Sequence, residues 1–386
     1  MDNYLVSARK YRPATFATVV GQEHVTRTLK NAIASGQLPQ AFLFCGSRGV
    51  GKTTCARILA KAINCENRQE DAEPCNECAS CRSFNEGTSM NIFEMDAASN
   101  NSVEGIRQLV EQVQFPPQGG RYKVYIIDEV HMLSQSAFNA FLKTLEEPPA
   151  YAKFILATTE KQKIIPTILS RCQVFDFKRI EVEDIVRHLE HVAGQEGVTY
   201  EADALELVAT KAEGGMRDAL SLFDQLVSFT GGKLTYAACL DQLGELDCDY
   251  YFRLVDLLRT GDIGGALLLY DEVLGRGMGG QSFLTGLCSH LRNLMVALDR
   301  QTLTLVEGGE ARRTRYGRQA AECGLAALLA WLTLLSESEF RFREANNKRL
   351  FVEVALMRAA AMASGKWKES GERKAESGAP VAVAPA

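Results

Sequence analysis

Short apolar runs alternate with amphipathic segments through the first 178 residues of the chain. The apolar runs predict buried strands at 41–45, 92–96, 124–129, 153–157 and 173–177. Apolar residues spaced three to four positions apart predict helices at 26–35, from Val103 to Val113, and from Ser134 up to Pro148. Strands that alternate with helices favour a parallel sheet covered on both faces. We therefore expect an α/β domain with a parallel five-stranded sheet over residues 1–178.

The pattern changes after about residue 178, where the strand signal disappears and only helices are predicted. The pairs Gly214-Gly215 and Gly231-Gly232 bracket short helices, so we expect a small helical domain at 179–242. Longer amphipathic helices at 243–365 predict a second helical domain. Residues 366–386 are charged and then rich in Ala and Pro, a composition that cannot bury a core and predicts a disordered tail.

Residues 46–53 form a complete G-x-x-x-x-G-K-[ST] phosphate loop between a predicted strand and a predicted helix. Its glycines let backbone N–H groups turn towards phosphate oxygens, and the helix that opens at Lys52 directs its positive end at them. We expect Lys52 to contact the β- and γ-phosphates and the Thr53 hydroxyl to bind Mg²⁺. Taken alone, the motif could also be a chance glycine-rich loop.

A second motif supports the first. The predicted strand 124–129 is apolar and ends in the carboxylates of Asp128 and Glu129. Asp128 is placed to help hold the metal, and Glu129 to orient or deprotonate an attacking water. Together the two motifs predict a protein that binds a nucleoside triphosphate with Mg²⁺ and hydrolyses it.

Four of the 11 cysteines form the pattern C-x9-C-x2-C-x2-C, at Cys65, Cys75, Cys78 and Cys81. Two-residue spacings let a tight turn direct successive thiolates at one tetrahedral ion, which predicts a Zn²⁺ site. A closed shell of four thiolates leaves no open position, so this zinc should be structural. An iron–sulfur cluster is the alternative, although nothing nearby indicates redox chemistry. The other cysteines are predicted to fill cores.

Composition and charge set further limits. The chain has 386 residues, 46% of them hydrophobic, and a net charge of −5, which argues against coating nucleic acid through bulk charge. Local basic patches remain, one around residues 9–12 and one at 312–318, either as contact surfaces or as solvated faces. We find no apolar run of membrane-spanning length and no signal segment, and so expect a cytoplasmic protein without a membrane partner.

Several motifs resemble one known family. They are KYRP at 10–13, VVGQ at 19–22, the phosphate loop, the four cysteines, DEVHML at 128–133, LEEPP at 145–149, ATTE at 157–160 and SRC at 170–172. This set is similar to the gamma/tau family of bacterial DNA polymerase III, the AAA+ ATPases of the sliding-clamp loader. The match runs from about residue 7 to 230 and continues more weakly through 346–350. The cysteine cluster separates this family from other AAA+ proteins.

The resemblance implies an AAA+ P-loop domain at 1–178 with a zinc module at 65–81, a helical lid at 179–242 and a helical collar at 243–365. It also implies residue roles. Thr158 would sense the γ-phosphate, Arg217 would reach from the lid to the nucleotide, and Arg171 would enter a neighbouring subunit's site as an arginine finger. A surface helix-capping residue is the alternative for Arg217, and an internal salt bridge is the alternative for Arg171. The nucleotide site would comprise Tyr11, Arg12, Val20, Gly46, Gly49, Val50, Gly51, Lys52, Thr53, Thr54 and Asp128, with Tyr11, Arg12 and Val20 around the adenine and ribose.

The function implied by the resemblance is that of a clamp-loader ATPase without a polymerase active site of its own. ATP binding would order a pentameric ring with other loader subunits to open a sliding clamp, and primer–template DNA would trigger hydrolysis and release. The chain would also help to organise the replicative holoenzyme. A C-terminal extension could bind the polymerase core and a helicase. The neutral loop at 98–102 departs from the family, which often has basic residues there, and leaves the DNA-contacting residues open. Two alternatives are a non-hydrolysing AAA+ scaffold and another AAA+ DNA motor such as a helicase. The subunit ratio stays open.

Overall fold

The computed structural model describes residues 6–69, 71–99, 103–243, 246–306 and 310–363. The chain folds into two units, Met1–Cys239 and Leu240–Ala386. The predicted tail at 366–386 and most of the neutral loop at 98–102 lie outside the described residues.

The first unit is built on a parallel sheet. Its strands are β1 (Ala41–Cys45), β2 (Ile92–Asp96), β3 (Lys123–Asp128), β4 (Ala152–Thr158) and β5 (Gln173–Asp176). They lie in the order β2-β3-β4-β1-β5, and all neighbouring pairs are parallel, which confirms the predicted five-stranded sheet. Strands β1 and β4 are buried along their whole length because helices cover both faces. The carboxyl ends of the strands therefore meet along one edge.

Helices on each face of the sheet make a separate core. The helices of this α/β part are α1 (Ser7–Lys10), α2 (Glu23–Ser35), α3 (Lys52–Asn64), α4 (Ala79–Asn85), α5 (Val103–Val113), α6 (Gln135–Glu146) and α7 (Pro166–Leu169). Leu29 and Ile58 from α2 and α3 pack with Phe42 on one face, while Ile106 and Phe138 from α5 and α6 pack on the other. Three-residue 3-10 helices, at Phe16–Thr18, Val130–Met132 and Lys161–Lys163, connect these elements.

The rest of this unit is mainly helical, with α8 (Val182–Glu196), α9 (Ala202–Lys211) and α10 (Met216–Thr230). Helix α11 (Tyr236–Leu243) follows and runs across the division between the units. The expectation that no strands follow residue 178 is wrong, because β6 (Thr199–Tyr200) and β7 (Lys233–Leu234) form a parallel pair. Segments of two residues are too short to produce a readable period.

The second unit is all helical where the structure describes it. Its helices are α12 (Cys248–Thr260), α13 (Ile263–Gly275), α14 (Gly280–Ala297), α15 (Glu310–Cys323), α16 (Leu325–Arg341) and α17 (Lys348–Ala363), with 3-10 turns at Leu303–Leu305 and Phe342–Glu344. Trp331, Phe283 and Leu291 lie in its core. Within the described residues, no single helix has the length and apolarity that crossing a membrane requires. One pair, Arg312–Cys323 with Leu325–Glu344, meets that requirement only when its two helices, bent by 99°, are taken together.

Candidate nucleotide-binding site

The predicted phosphate loop connects the end of β1 to the start of α3. Gly46 approaches the neighbouring strand end so closely that a Cβ atom there would lie 2.6 Å from the Phe177 carbonyl oxygen. No larger residue fits without moving the backbone. The loop ends at Gly51, and α3 begins at Lys52 as the sequence predicted.

A cavity of about 410 Å³ opens at this loop. A volume of this order suits a small organic ligand. The predicted nucleotide-site residues that line it are Tyr11, Arg12, Val20, Gly49, Val50, Gly51, Lys52, Thr53, Thr54, Asp128, Glu129 and Arg217. Gly46, Thr158 and Arg171 are predicted site residues that do not line it. The structure thus gathers most of the set around one cavity, although the role of each residue stays a prediction.

Lys52 is nearly buried, and its Nζ donates to the carbonyl oxygens of Gly46 at 2.8 Å and Ser47 at 2.7 Å. The ammonium is therefore held inside the curve of the phosphate loop. Burial lowers its pKa, and the nearby carboxylates of Glu129 and Asp128 oppose that shift. A desolvated cation at this place is suited to binding phosphate oxygens.

Two candidate metal ligands meet at the edge of the sheet. The Thr53 hydroxyl, in the first turn of α3, donates to Asp128 Oδ2 at 2.6 Å, at the end of β3. Asp128 Oδ1 accepts from the backbone N–H of Glu129 at 2.9 Å, which fixes the carboxylate plane. A hydroxyl and a carboxylate beside a phosphate loop are the oxygen ligands that Mg²⁺ prefers.

Glu129 follows Asp128 in a left-handed backbone conformation, with φ of 47°. Its Oε2 accepts from the hydroxyl of Thr159, the residue after β4, at 3.0 Å. Thr158, by contrast, is fully buried, with its Oγ1 3.1 Å from His131 Nδ1. The structure therefore places Thr159, and not Thr158, against Glu129. The sequence reasoning missed Thr159 and His131, although both lie in motifs that it singled out.

The N-terminal segment closes one side of the cavity. Tyr11 lines the cavity, and its hydroxyl donates to Glu196 Oε1 at 2.6 Å, at the end of α8. Lys10 binds the same oxygen at 2.7 Å. Arg12 is exposed at the edge of the cavity, yet partial desolvation of its guanidinium, followed by the like charge of Arg57, lowers its pKa. A guanidinium in such cationic surroundings is suited to an anionic ligand.

Gln22 is a further residue that the sequence reasoning did not assign to the site. It is fully buried, and its Nε2 donates to the carbonyl oxygens of Lys178 at 2.7 Å and Val50 at 3.3 Å. Its Oε1 accepts from the Lys178 backbone N–H at 3.2 Å. Gln22 therefore ties the phosphate loop to the chain after β5. The only signal for it was its place in the VVGQ motif at 19–22.

Helix α10 contributes the remaining wall through its first turn. The Arg217 backbone N–H lies 3.4 Å from the Gly49 carbonyl oxygen, so the positive end of α10 also faces the phosphate loop. A Cβ atom at Gly215 would lie 3.2 Å from the Arg48 carbonyl oxygen, which shows how closely the two loops approach. Apolar side chains, among them Val19, Ile180, Met216 and Leu220, also line the cavity. Together these features provide cationic and apolar walls, as a nucleotide requires.

Arg171 lies outside the cavity and is paired within the chain. Its NH2 is 2.6 Å from Glu146 Oε1, and its NH1 donates to the Thr167 carbonyl oxygen at 2.7 Å. One third of its side chain, 33%, is exposed. This pair is the internal salt bridge that the sequence analysis left open as the alternative. Because the Arg171 side chain is partly exposed, its role as an arginine finger stays a prediction.

The four predicted zinc ligands converge. The sulfur atoms of Cys65, Cys75, Cys78 and Cys81 all lie within 4.8 Å of one another. Cys65 Sγ is 3.4 Å from Cys75 Sγ and 4.0 Å from Cys78 Sγ. Four thiolates at about 2.3 Å from one tetrahedral ion are about 3.8 Å apart, so the cluster fits a single ion. A [4Fe–4S] cluster bonds each thiolate to a different iron and would require wider spacing.

Backbone N–H groups support these sulfurs as acceptors. The N–H groups of Glu77 and Cys78 point at Cys75 Sγ from 3.4 Å and 3.2 Å. Burial by itself raises the pKa of Cys75, but these two N–H groups together with the neighbouring thiols of Cys65 and Cys78 outweigh it and lower the pKa to about 7. Cys81 is deeply buried, and desolvation raises its pKa. The arrangement suits thiolates that share one cation.

Comparison with known proteins places these features in a family context. Residues 21–181 match a family model described as DNA polymerase III, delta subunit. Residues 184–232 match a clamp loader subunit ATPase lid domain, and residues 234–374 match domain III of DNA polymerase III subunits gamma and tau.

Individual relatives agree with these models. The chain is 42% identical over 356 residues to DNA polymerase III subunit tau of Bacillus subtilis, an alignment that covers 92% of this chain and 63% of that protein. It is 42% identical over 382 residues to the Escherichia coli tau subunit, covering 98% of this chain and 59% of that one. The gamma subunit of Buchnera aphidicola subsp. Baizongia pistaciae is 41% identical over 271 residues, covering 70% of this chain and 73% of that one. The chain thus spans about three fifths of the length of the tau relatives.

Proposed function

Since the chain belongs to the DNA polymerase III gamma/tau family, we propose that it is an ATPase subunit of a sliding-clamp loader. The observation that carries the proposal is the arrangement around the phosphate loop, where Lys52, the Thr53–Asp128 pair and Glu129 line one cavity. The main substrate is ATP with Mg²⁺. The chain supplies no polymerase active site of its own.

In this proposal the residues of the cavity have separate roles in binding and hydrolysing ATP. Lys52 and the N–H groups of the loop bind the β- and γ-phosphates, while Thr53 and Asp128 hold Mg²⁺. Glu129 orients or deprotonates the water that attacks the γ-phosphate. Arg217 approaches the phosphates from the lid. Tyr11, Arg12 and the apolar wall around Val20 hold the base and sugar.

The partners are proposed from the family and not from this chain alone. Other loader subunits would complete a pentameric ring, in which Arg171 leaves Glu146 and enters the neighbouring subunit's site. The assembled ring would act on a sliding clamp and on primer–template DNA in the cytoplasm. The four-cysteine cluster would hold one structural Zn²⁺, and it supplies no open coordination position for catalysis.

The test is the ATPase rate of the assembled ring, measured alone, with the clamp, with primed DNA and with both. We expect the highest rate with both, because the ring would bind the clamp first and the primed DNA second. ATP hydrolysis would then release the loaded clamp. A ring that binds ATP but turns over at no more than background in all four conditions would favour the non-hydrolysing scaffold. A ring that is stimulated by DNA alone and separates duplex strands would favour a helicase.

A further inference from the structure

Four residues lie beside the proposed catalytic carboxylate of Glu129 and are joined to it or to one another by hydrogen bonds and close polar contacts. We call His131, Thr158, Thr159 and Glu160 the His131 group. His131 Nδ1 lies 3.4 Å from Glu129 Oε2, and the Thr159 hydroxyl donates to the same oxygen at 3.0 Å. The carboxylate is thus contacted from two sides by residues that are not part of the phosphate loop.

Both contacts use one oxygen of the carboxylate. Among the hydrogen bonds of the described residues, none reaches Glu129 Oε1, and Glu129 lines the nucleotide cavity. A carboxylate with Oε2 held and Oε1 available has a fixed direction towards the cavity. This is the arrangement that a group acting on a water molecule needs, because acid–base catalysis depends on geometry before pKa.

The imidazole of His131 is itself fixed. Its side chain is only 6% exposed, in the 3-10 turn Val130–Met132 that follows β3. Nδ1 is 3.1 Å from Thr158 Oγ1, and Nε2 is 3.3 Å from Glu160 Oε1. The backbone N–H of Glu160 donates to Thr158 Oγ1 at 3.0 Å, which in turn fixes that hydroxyl. The ring therefore has a partner on each edge and cannot rotate without breaking one of them.

We propose that His131 is a positioning residue, whose Nδ1 edge keeps the Glu129 carboxylate directed at the nucleotide cavity. Thr158 orients the ring from the end of β4, and Glu160 holds its opposite edge. This inference rests on the proposed ATPase function, in which Glu129 acts on the attacking water.

The two edges of the imidazole can be tested separately in the assembled pentamer. His131→Asn keeps an amide at the position of Nδ1, towards Glu129. His131→Gln keeps one at the position of Nε2, towards Glu160. We expect His131→Gln to lower kcat by about 10-fold to 100-fold, because displacement of a reacting group by about 1 Å costs on the order of 100-fold. His131→Asn should retain most of the rate, and the KM for ATP should change little in both variants.

The exposed His24 on α2 does not line the cavity, and His24→Gln serves as the matched control. ATP affinity and the thermal unfolding midpoint show whether each variant folds. If neither His131 variant folds, Glu160→Gln replaces them, since it weakens the contact at the Nε2 edge of the imidazole at nearly constant volume. A loss of kcat at unchanged ATP affinity is then expected.

Glu129→Gln separates this inference from the proposed function. In that background His131→Gln should cause no further loss of kcat, because the carboxylate that it positions is already gone. If a pentamer assembled with Glu129→Gln subunits hydrolysed ATP at the wild-type rate, the role of Glu129 itself would be overturned. Two outcomes would overturn the positioning role alone. In the first, Glu129→Gln lowers kcat but His131→Gln has a kcat equal to or above that of the wild type. In the second, His131→Asn lowers kcat as much as His131→Gln does.

Discussion

Thr53 and Asp128 are 75 positions apart in the sequence, yet the Thr53 hydroxyl donates to Asp128 Oδ2 at 2.6 Å. Thr53 lies in the first turn of α3 and Asp128 ends β3, so the contact exists because both elements reach the same edge of the parallel sheet. A metal bound between them would be held by two elements of the core. This relationship brings the two sequence motifs together in one site.

Lys52→Ala should abolish ATP binding. The substitution removes the cation that the loop carbonyls of Gly46 and Ser47 hold in place for the phosphates. Titration with a fluorescent ATP analogue measures the affinity. The exposed Lys143 on α6 provides the control, because Lys143→Ala should bind ATP like the wild type. Equal affinity in the two variants would contradict the role of Lys52.

Glu129→Gln should leave ATP affinity near normal and lower turnover by about 100-fold or more. The amide keeps the shape of the side chain but loses the negative charge that a general base needs. Affinity and single-turnover hydrolysis are measured on the same preparation. Glu111→Gln on α5 removes a carboxylate from an exposed surface and should leave both quantities unchanged. Normal hydrolysis in Glu129→Gln would show that another group activates the water.

The purified protein should carry about one zinc per chain, as the four converging thiolates require. Cys78→Ser should release the zinc and loosen the 65–81 segment, with ATP affinity largely retained. Elemental analysis and limited proteolysis measure these effects. Cys239→Ser changes a buried cysteine outside the cluster and should keep the metal. Iron in place of zinc, or no metal in protein prepared without chelator, would show the assignment to be wrong.

Arg171→Ala should bind ATP normally and hydrolyse it poorly in the assembled ring. An arginine supplied in trans is worth about 1,000-fold or more in turnover, because it stabilises charge that develops only in the transition state. Mixing Arg171→Ala with Glu129→Gln subunits should restore partial activity, since some interfaces then join an intact arginine to an intact carboxylate.

Glu146→Gln tests the internal pair that the structure shows for Arg171. If that pair only stabilises the fold, Glu146→Gln and Arg171→Ala should lower the unfolding midpoint alike and reduce turnover alike. If Arg171 acts in trans, Glu146→Gln should retain far more activity than Arg171→Ala. Mixed rings no more active than either mutant alone, while wild-type subunits mixed in the same way are active, would exclude the action in trans.

The second unit should lose stability as the pH falls from about 6.5 towards 4. His290 is buried, Tyr316 Oη lies 3.0 Å from its Nδ1, and Gln319 Oε1 lies 3.3 Å from its Nε2. Burial lowers the pKa of His290 to about 4. The unfolded chain, with an ordinary histidine pKa of about 6.5, binds the proton more readily. The stabilisation is therefore present above pH 6.5 and is lost below it, by up to about 3 kcal/mol.

Denaturant unfolding followed by the fluorescence of Trp331, which is buried in the same core, measures this effect. His290→Gln should flatten the dependence of the free energy of unfolding on pH between 4 and 6.5. The exposed His24 provides the control, because His24→Gln should leave the dependence unchanged. An equally steep dependence in His290→Gln would assign the effect to another group.

The sequence by itself determined the elements whose cause is local. The phosphate loop, the opening of α3 at Lys52, the five strands and the cysteine cluster follow from spacing and from apolar runs, because steric preference and burial act on neighbouring residues. The same information located Asp128 and Glu129 at a strand end. It could not find β6 and β7, since two-residue strands form only when their partner is already near.

Only the tertiary structure decided which side chains face each other at the carboxyl edge of the sheet. Thr159 contacts Glu129, whereas the preceding residue, Thr158, contacts His131. Apolar patterning does not specify which of two adjacent threonines at the end of β4 faces Glu129. The burial of Gln22 against Lys178, the pairing of Arg171 with Glu146 and the enclosure of His131 all join distant segments. Such contacts follow from strand order and helix packing, and a local sequence pattern determines neither of them.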